Sequence, residues 1–115
     1  GQDALRESPL VRAVRAEPPS GRILTNAPLH LLVQSGLAND PVPATLDGWA
    51  ALMQDAAGEE MALVWFEPVV RCDWSRRHCV ETDYTVETLA GRWDATPVII
   101  AADGGAYRLG VGPGG

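Results

Sequence analysis

The sequence predicts a small layered α/β domain with a mostly parallel sheet and a C-terminal antiparallel hairpin, and three observations predict it. Stretches with helical periodicity alternate with short runs rich in strand-forming residues, a pattern typical of helices packed on a parallel sheet. The run MALVWF, residues 61–66, is apolar throughout, as in a strand buried on both faces. The last two runs, PVIIAAD and AYRLGV, are joined through Gly104-Gly105, a two-residue hairpin signal.

Length and composition indicate one domain with its own core. The chain has 115 residues, of which 46% are hydrophobic and 21% charged, a globular balance. We predict a single domain over residues 1–109, with the core in 21–109 and a flexible glycine-rich tail over 110–115. The net charge is -6, whereas binding to nucleic acid requires clustered positive charge, so we expect no nucleic-acid partner.

The first half of the chain gives a helix, a strand and a second helix. Residues 3–17 place apolar side chains at helical spacing and predict a surface helix, with Pro9 as a position where it breaks or restarts. RILT, residues 22–25, is a short run of strand-forming residues. Asn26 is a good N-cap and Pro28 suits a first helical turn, so we expect Asn26 to cap a helix that runs through LHLLVQS and ends at Gly36.

The second half continues the alternation. Residues 37–44 hold two prolines, an asparagine and an aspartate, which predicts a loop. Thr45 is a suitable N-cap for the helix that follows. After the central strand, a further helix is predicted over residues 84–93, capped by Asp83 or Thr85.

The segment RCDWSRRHC, residues 71–79, concentrates the residues most suited to chemistry. Cys72, Cys79, His78 and Asp73 offer the four ligands of a structural zinc site. The spacing argues against this site, because adjacent His78 and Cys79 point to opposite sides of an extended chain. Six residues also separate the cysteines where a zinc knuckle has two, and three arginines repel a cation. We therefore predict no metal and no cofactor.

A disulfide is the interpretation we favour for this segment. A redox pair needs Cys-x-x-Cys at a helix start, and that spacing is absent. A cysteine nucleophile with His78 as its base remains an alternative, although such partners normally come from distant segments. A bond between Cys72 and Cys79 would close a short loop and stabilise the fold by about 2.5 kcal/mol. Because such bonds persist in oxidising compartments, it predicts a location outside the cytoplasm.

Aromatic and histidine side chains provide further candidates. Trp49 and Trp65 lie on predicted core faces. Trp74 and Trp93 are predicted to be exposed, and an exposed indole can stack on a sugar ring, so both are candidates for ligand stacking. His30 lies inside the apolar run LHLLV and is interpreted as a partly buried packing residue.

The carboxyl ends of parallel strands predict a pocket. Ligands of open α/β sheets bind at this edge, where the sequence places Asn26, Glu67 and Asp103. The run Asp103-Gly104-Gly105 precedes a strand rather than a helix, so it is interpreted as a turn and not as a phosphate-binding loop.

Several short stretches resemble a known family. They are GRILTNAPLHLLVQSG, MALVWFEP and an aspartate-glycine turn into AYRL, and they cover residues 21–109 in order. Together they look like the soluble C-terminal domain of actinobacterial polytopic membrane proteins of the glycosyltransferase C superfamily, relatives of the dolichyl-phosphate-mannose protein mannosyltransferases. The matching residues are Thr25-Asn26-Ala27-Pro28, Ser35-Gly36, Leu63-Val64-Trp65-Phe66 and Tyr107-Arg108-Leu109.

The resemblance implies a non-catalytic extracytoplasmic accessory domain. In such proteins the reaction uses a polyprenyl-phosphate sugar donor and acidic residues in loops of the transmembrane part. The chain begins at Gly1 and holds no apolar run of roughly 18 residues, so we expect attachment to the membrane through a segment outside this sequence. The expected partners are the protein's own transmembrane part and an acceptor glycan or peptide of the cell envelope.

Two other functions stay open at this point. The first is a free-standing small α/β enzyme with its pocket at the strand ends near Asn26, Glu67 and Asp103. The second is a purely structural interaction domain that binds no small ligand. Sugar-induced quenching of tryptophan fluorescence would favour an accessory domain that binds glycan.

Overall fold

The computed structural model of the chain describes residues 8–67 and 79–110. Within these ranges it has four α-helices and five β-strands, and the predicted α/β class is confirmed. Helices and strands alternate until the final pair of strands, whereas the sequence predicted a loop in place of the second strand. The elements are α1 (Pro9–Ala16), β1 (Arg22–Thr25), α2 (Pro28–Ser35), β2 (Asp40–Pro41), α3 (Leu46–Asp55), β3 (Met61–Phe66), α4 (Val86–Trp93), β4 (Thr96–Ala101) and β5 (Gly104–Arg108).

The five strands form one open sheet in the order β2-β1-β3-β5-β4. β1 runs parallel to both β2 and β3, β5 runs antiparallel to β3, and β4 runs antiparallel to β5. Four of the five strands therefore share one direction. The predicted mostly parallel sheet with a C-terminal antiparallel hairpin is confirmed.

The central strand β3 separates two hydrophobic clusters, one on each face of the sheet. All six of its residues are buried, as the apolar run predicted. Met61, Leu63 and Trp65 point into a cluster with α3 and α4, whereas Val64 and Phe66 point into a cluster with α1 and α2. The domain is therefore a three-layer sandwich with two helices on each side of the sheet, which explains why β3 carries no polar residue.

Helix α1 is shorter in the described residues than the predicted helix over 3–17. It begins at Pro9, which occupies the first helical position where its missing N–H costs nothing. The Ser8 hydroxyl caps it by accepting a hydrogen bond from the Val11 N–H at 3.0 Å. Residues 1–7 lie outside the described residues. Leu10, Val11 and Val14 are buried against the sheet.

The prediction that Asn26 caps α2 is wrong. Ala27 occupies the N-cap position and makes no side-chain capping bond, because the Asn26 side chain is bonded instead to the end of β3. Pro28 opens the helix as predicted. Gly36 ends it in the left-handed conformation, with φ of 78°, also as predicted.

Two boundaries of the second half differ from the predictions. The segment 37–44 is not entirely loop, because Asp40 and Pro41 pair with β1 as the short edge strand β2. Helix α4 begins at Val86 rather than Tyr84. Of the two predicted caps, Thr85 is the one used, since its hydroxyl accepts from the Thr88 N–H. Thr45 caps α3 as predicted.

The prediction that Gly104-Gly105 forms the hairpin turn is wrong. The turn lies at Ala102 and Asp103, and both glycines belong to β5, where they pair with Phe66 and Trp65 of β3. A Cβ atom on Gly104 would lie 2.0 Å from the Trp65 carbonyl oxygen, so close approach to β3 explains the glycine there. After β5 the Gly110 N–H donates to the Trp93 carbonyl at 3.1 Å. Residues 111–115 of the predicted tail lie outside the described residues.

Candidate functional site

The structure brings Asn26, Glu67 and Asp103 to one edge of the sheet. Asn26 follows β1 and Glu67 follows the neighbouring strand β3, while Asp103 precedes β5, which runs in the opposite direction. The Glu67 N–H donates to the Asp103 carbonyl oxygen at 2.9 Å, which extends the ladder by one bond beyond the strands. The three candidate pocket residues are therefore neighbours, and their availability to a ligand depends on what each side chain already binds.

The Asn26 amide joins β1 to β3 at the point where the two strands separate. Its Nδ2 donates to the Phe66 carbonyl at 2.9 Å, and its Oδ1 accepts from the Phe66 N–H at 2.8 Å. The residue is 1% exposed. In addition, its carbonyl oxygen accepts from the Val80 N–H at 3.0 Å. A buried amide with both side-chain groups bonded to backbone stabilises the strand ends and has little left to offer a ligand.

The Asp103 carboxylate caps the N-terminus of α1. One oxygen accepts from the Leu10 N–H at 3.0 Å, and the other accepts from the Ser8 hydroxyl. The Ser8 hydroxyl in turn accepts from the Val11 N–H. The Leu10 and Val11 N–H groups, which have no partner within the first turn of α1, are thus both bonded. A negative charge at this position also complements the positive end of the helix dipole. The carboxylate is thereby committed to holding α1 on the hairpin.

Glu67 is the one pocket candidate whose side chain is exposed. It lies close enough to the half-buried Tyr107 to affect the ionisation of that phenol. The pKa of Tyr107 is raised above its ordinary value mainly because of burial, and then because the negative charges of Glu67 and Glu87 disfavour the phenolate. Of the three candidate pocket residues, the one that this edge presents to solvent is therefore a carboxylate, Glu67.

A chain of aromatic side chains fills the core on the side of α3 and α4. The Trp49 Nε1–H donates to the Tyr84 hydroxyl at 2.6 Å, and that hydroxyl donates to the Pro43 carbonyl at 2.5 Å. The ring of Trp65 lies 6.0 Å from that of Tyr84, and the ring of Trp93 lies 6.2 Å from that of Trp49. The predicted core positions of Trp49 and Trp65 are confirmed. The polar ends of this cluster satisfy one another, so it rigidifies the core.

Tyr84 makes stability depend on pH in the alkaline range. Burial raises the pKa of Tyr84 to about 12, the hydrogen bond from Trp49 lowers it in part, and Asp83 raises it further. In the unfolded chain the pKa is about 10. The unfolded state therefore releases its proton first, so the stability from this group is complete below pH 10 and is lost as pH rises through 12.

We expect the free energy of unfolding to fall between pH 10 and 12, and Tyr84→Phe to reduce that fall. Urea unfolding at a series of pH values measures it, and absorbance titration follows the two tyrosines of the chain. All nine basic residues are arginine, so no lysine titrates in this window. The pKa of Tyr107 is also raised, so Tyr107→Phe is the comparison that separates the contribution of the second tyrosine. An unchanged fall in Tyr84→Phe would contradict the assignment.

The two candidate stacking residues have different outcomes. Trp93 is half-buried rather than exposed, because its ring packs against Trp49, and the Arg92 guanidinium lies 5.3 Å from its centroid. Its role in stacking on a ligand stays a prediction. Trp74 lies outside the described residues. His30 is half-buried and meets the Phe66 ring edge-on at 5.1 Å, in agreement with its interpretation as a packing residue.

The predicted Cys72–Cys79 bond stays a prediction. Cys79 is half-buried beside the cluster on the α1 and α2 side, and it is not a free cysteine in the described ranges. Cys72 lies outside those ranges, as do Asp73 and His78 of the alternative zinc site. Among residues 8–67 and 79–110, no group of three metal-ligating side chains comes together.

Helix α2 has an exposed apolar surface that the sequence analysis did not predict. We call it the α2 apolar face and define it by Leu29, Leu32 and Val33, which are 38%, 46% and 69% exposed. The spacing i, i+3, i+4 places them side by side. Leu31, on the opposite side of the helix, is fully buried. The signal in the sequence is that LHLLV is apolar all round the helix, more than one buried face requires.

No family model, no curated protein and no solved structure matches this chain. The candidate functions therefore depend on the geometry and on the resemblance described above. None of the helices in the described part of the chain combines the length and the apolar character that a membrane-spanning helix needs.

Proposed function

We propose that this chain is a non-catalytic accessory domain on the extracytoplasmic side of a membrane glycosyltransferase-like protein. In this proposal the domain docks on the transmembrane part of its own polypeptide through the α2 apolar face. The observation that carries the proposal is the exposure of Leu29, Leu32 and Val33 on a helix that is otherwise fixed to the core. A helix with clustered apolar side chains on one face commonly binds an apolar surface of its partner through that face.

The α2 apolar face is both uncharged and rigidly held. The helix PLHLLVQS contains no aspartate, glutamate, lysine or arginine, although the chain as a whole carries a net charge of -6. Leu31 is buried beneath it, and Arg15 of α1 donates to the Gln34 carbonyl at 3.1 Å. A preformed surface loses little conformational entropy on docking. An apolar protein surface, such as the exposed end of a helical membrane bundle, matches these properties.

The position of α2 also agrees with the resemblance to the glycosyltransferase C superfamily. The stretch Thr25-Asn26-Ala27-Pro28 is one of the matching segments, and it forms the junction from β1 into α2. Its buried bonds between Asn26 and Phe66 fix where the helix begins. One of the matching residues, Asn26, therefore fixes the start of α2, the helix whose outer face we assign to docking.

The enzyme alternative draws on the sheet edge and has weaker support. Of its three pocket residues, Asn26 is bonded to β3 and Asp103 is bonded to α1, which leaves the Glu67 side chain exposed to solvent. A purely structural interaction domain would use the same α2 apolar face. It differs from our proposal in its partner, which would be a separate protein rather than the transmembrane part of the same polypeptide.

Photo-crosslinking in the complete protein tests the proposal. A photo-reactive phenylalanine analogue at position 33 is expected to crosslink to the transmembrane part of the same polypeptide. The same analogue at Gln54, exposed on α3 on the other side of the sheet, is the matched control and is expected to give no such product. Reporter fusions establish on which side of the membrane the domain lies. The proposal also requires that the complete reading frame encode a membrane segment.

Three results would contradict the proposal. They are a reading frame without membrane segments, a cytoplasmic location, or equal crosslinking from positions 33 and 54. Quenching of tryptophan fluorescence by a cell-envelope oligosaccharide, lost in Trp93→Phe, would instead assign the domain a glycan-contacting role.

A further inference from the structure

The face of the sheet that carries α3 and α4 is left open on its β4 side. Gly105 of β5 pairs with Trp65 of β3 and with Ile100 of β4, so these three residues form one row across that face. Trp65 is buried in the cluster with α3 and α4, whereas Ile100 is 73% exposed. In the part of the chain that the structure describes, the helices therefore cover β3 on this face and leave β4 uncovered.

The ring of Tyr107 lies next to Ile100 on this open part of the face. In the neighbouring row, Tyr107 pairs with Leu63 on one side and with the exposed Pro97 on the other. The ring leans over Gly105, because a Cβ atom there would lie 3.0 Å from the phenol oxygen and 3.2 Å from Cε1. The missing side chain at Gly105 thus makes room for the ring. We call Pro97, Ile100 and Tyr107 together the Tyr107 strip.

Carboxylates border the Tyr107 strip. Glu67 directly follows β3 and is exposed, while Glu87 on α4 and Asp94 at its end are exposed about two helical turns apart. The negative charges of Glu67 and Glu87 help to raise the pKa of Tyr107, which places both near the ring. Asp94 lies beside the end of β5, since a Cβ atom on Gly110 would lie 3.1 Å from the Asp94 Cβ. The flank of α4 that carries these acids therefore faces the strip.

The basic side chains closest along the chain point elsewhere. Arg108 follows Tyr107 in β5, so its side chain lies on the opposite face of the sheet. Arg92 lies about 140° around α4 from Glu87. Its guanidinium lies over the Trp93 ring, 5.3 Å from the centroid. Within residues 8–67 and 79–110, the strip therefore combines an apolar centre with an acidic border.

We propose that the Tyr107 strip is a docking site for a basic, partly apolar peptide segment of a partner protein. An arginine or lysine of that segment lays its apolar stem on Ile100 and Tyr107 and directs its charge toward the carboxylates. A cation over the tyrosine ring adds a further attraction. Charge complementarity selects this occupant, because the acidic border repels both an anionic ligand and a second copy of a chain whose net charge is -6. The site lies on the opposite side of the sheet from the α2 apolar face and is independent of it.

Titration with the peptide acetyl-Arg-Val-Val-Arg-amide, followed through the NMR signal of the Ile100 methyl groups, tests this site. We expect saturable shifts with a dissociation constant on the order of 10⁻⁴ M at low salt, because exposed charge pairs are individually weak. Sodium chloride at roughly 0.5 M is expected to weaken binding, since it screens such pairs. The same peptide with glutamine in place of both arginines keeps the apolar centre and is expected to bind at least about 10-fold more weakly.

Matched variants locate the contact on the protein. Glu87→Gln and Ile100→Ser are each expected to weaken binding at least about 3-fold, and circular dichroism checks that both fold. Asp55→Asn removes one exposed negative charge at the end of α3 and is the control that is expected to bind as the unaltered protein does. Val33→Ser is also expected to bind normally, which separates this site from docking through the α2 apolar face.

Four results would each overturn the proposal. They are equal affinity for the glutamine peptide, an equal loss in Asp55→Asn and Glu87→Gln, Ile100 signals that do not respond to the arginine peptide, and Ile100 signals that shift with protein concentration alone. The last result would assign the strip to contact between two copies of the chain.

Discussion

Asn26→Ala is expected to lower the free energy of unfolding by about 2–4 kcal/mol. The substitution removes the two hydrogen bonds from the Asn26 side chain to Phe66. The N–H and the carbonyl of Phe66 then lose these partners at a buried strand end. Each unsatisfied buried group costs about 1–3 kcal/mol, and water has little access to a site that is 1% exposed. Urea unfolding followed by circular dichroism measures the loss.

The other asparagine of the chain provides a matched control. The Asn39 side chain donates to the Leu37 carbonyl at 3.0 Å and to the Pro28 carbonyl at 3.3 Å. Its buried Oδ1 has no hydrogen-bond partner among residues 8–67 and 79–110. Asn39→Ala removes that unsatisfied oxygen together with two bonds, so we expect a loss below about 1 kcal/mol. Equal losses for the two variants would show that Asn26 does not hold β1 and β3 together. Asn26 would then again be a candidate for binding a ligand in the pocket.

Gly21→Ala is expected to destabilise the domain by at least about 3 kcal/mol, more than Gly36→Ala. Both glycines have positive φ, 82° and 78°, where a Cβ atom costs roughly 1–2 kcal/mol. At Gly36 no atom of the described residues lies within 4 Å of the added atom. At Gly21 it would lie 2.2 Å from the Glu60 carbonyl oxygen, the acceptor for the Arg22 N–H where β1 and β3 begin to pair.

The difference between the two variants isolates the steric clash from the backbone conformation. Thermal and urea unfolding of both proteins give the two losses, with Gly36→Ala expected near 1 kcal/mol. Similar losses would mean that residues 21 and 60 move apart at small cost, and that the start of the β1–β3 ladder does not depend on their contact.

The sheet was predictable from sequence because its signals are local. MALVWF is apolar at six successive positions, which at this length favours a strand covered on both faces, and β3 confirms it. Pro28, Gly36 and Thr45 act at the helix ends through their own backbone or hydroxyl, so their roles follow from neighbouring residues. The short strand β2 was missed because two residues, Asp40 and Pro41, carry no periodic pattern.

The candidate site was less predictable because its bonds are long-range. Position alone placed Asn26, Glu67 and Asp103 at one sheet edge, since parallel strands end together. Nothing in the local sequence indicates that the Asn26 amide binds Phe66, 40 residues away, in place of capping α2. The same holds for Asp103 at α1, and for the Tyr84 hydroxyl between Trp49 and Pro43. The α2 apolar face had a signal in LHLLV, but only tertiary packing shows which side is covered.

The capping of α1 by the hairpin has a consequence for the order of folding. Ser8 and Asp103 are 95 positions apart, so the N-terminus of α1 acquires this partner only after nearly the whole domain has been synthesised. Until then its three buried side chains, Leu10, Val11 and Val14, have no complete sheet to cover. Contacts of such sequence separation form late because a long loop must close first. During synthesis, α1 therefore docks only once the hairpin has left the ribosome, and the nascent chain depends on its last strands to bury its first helix.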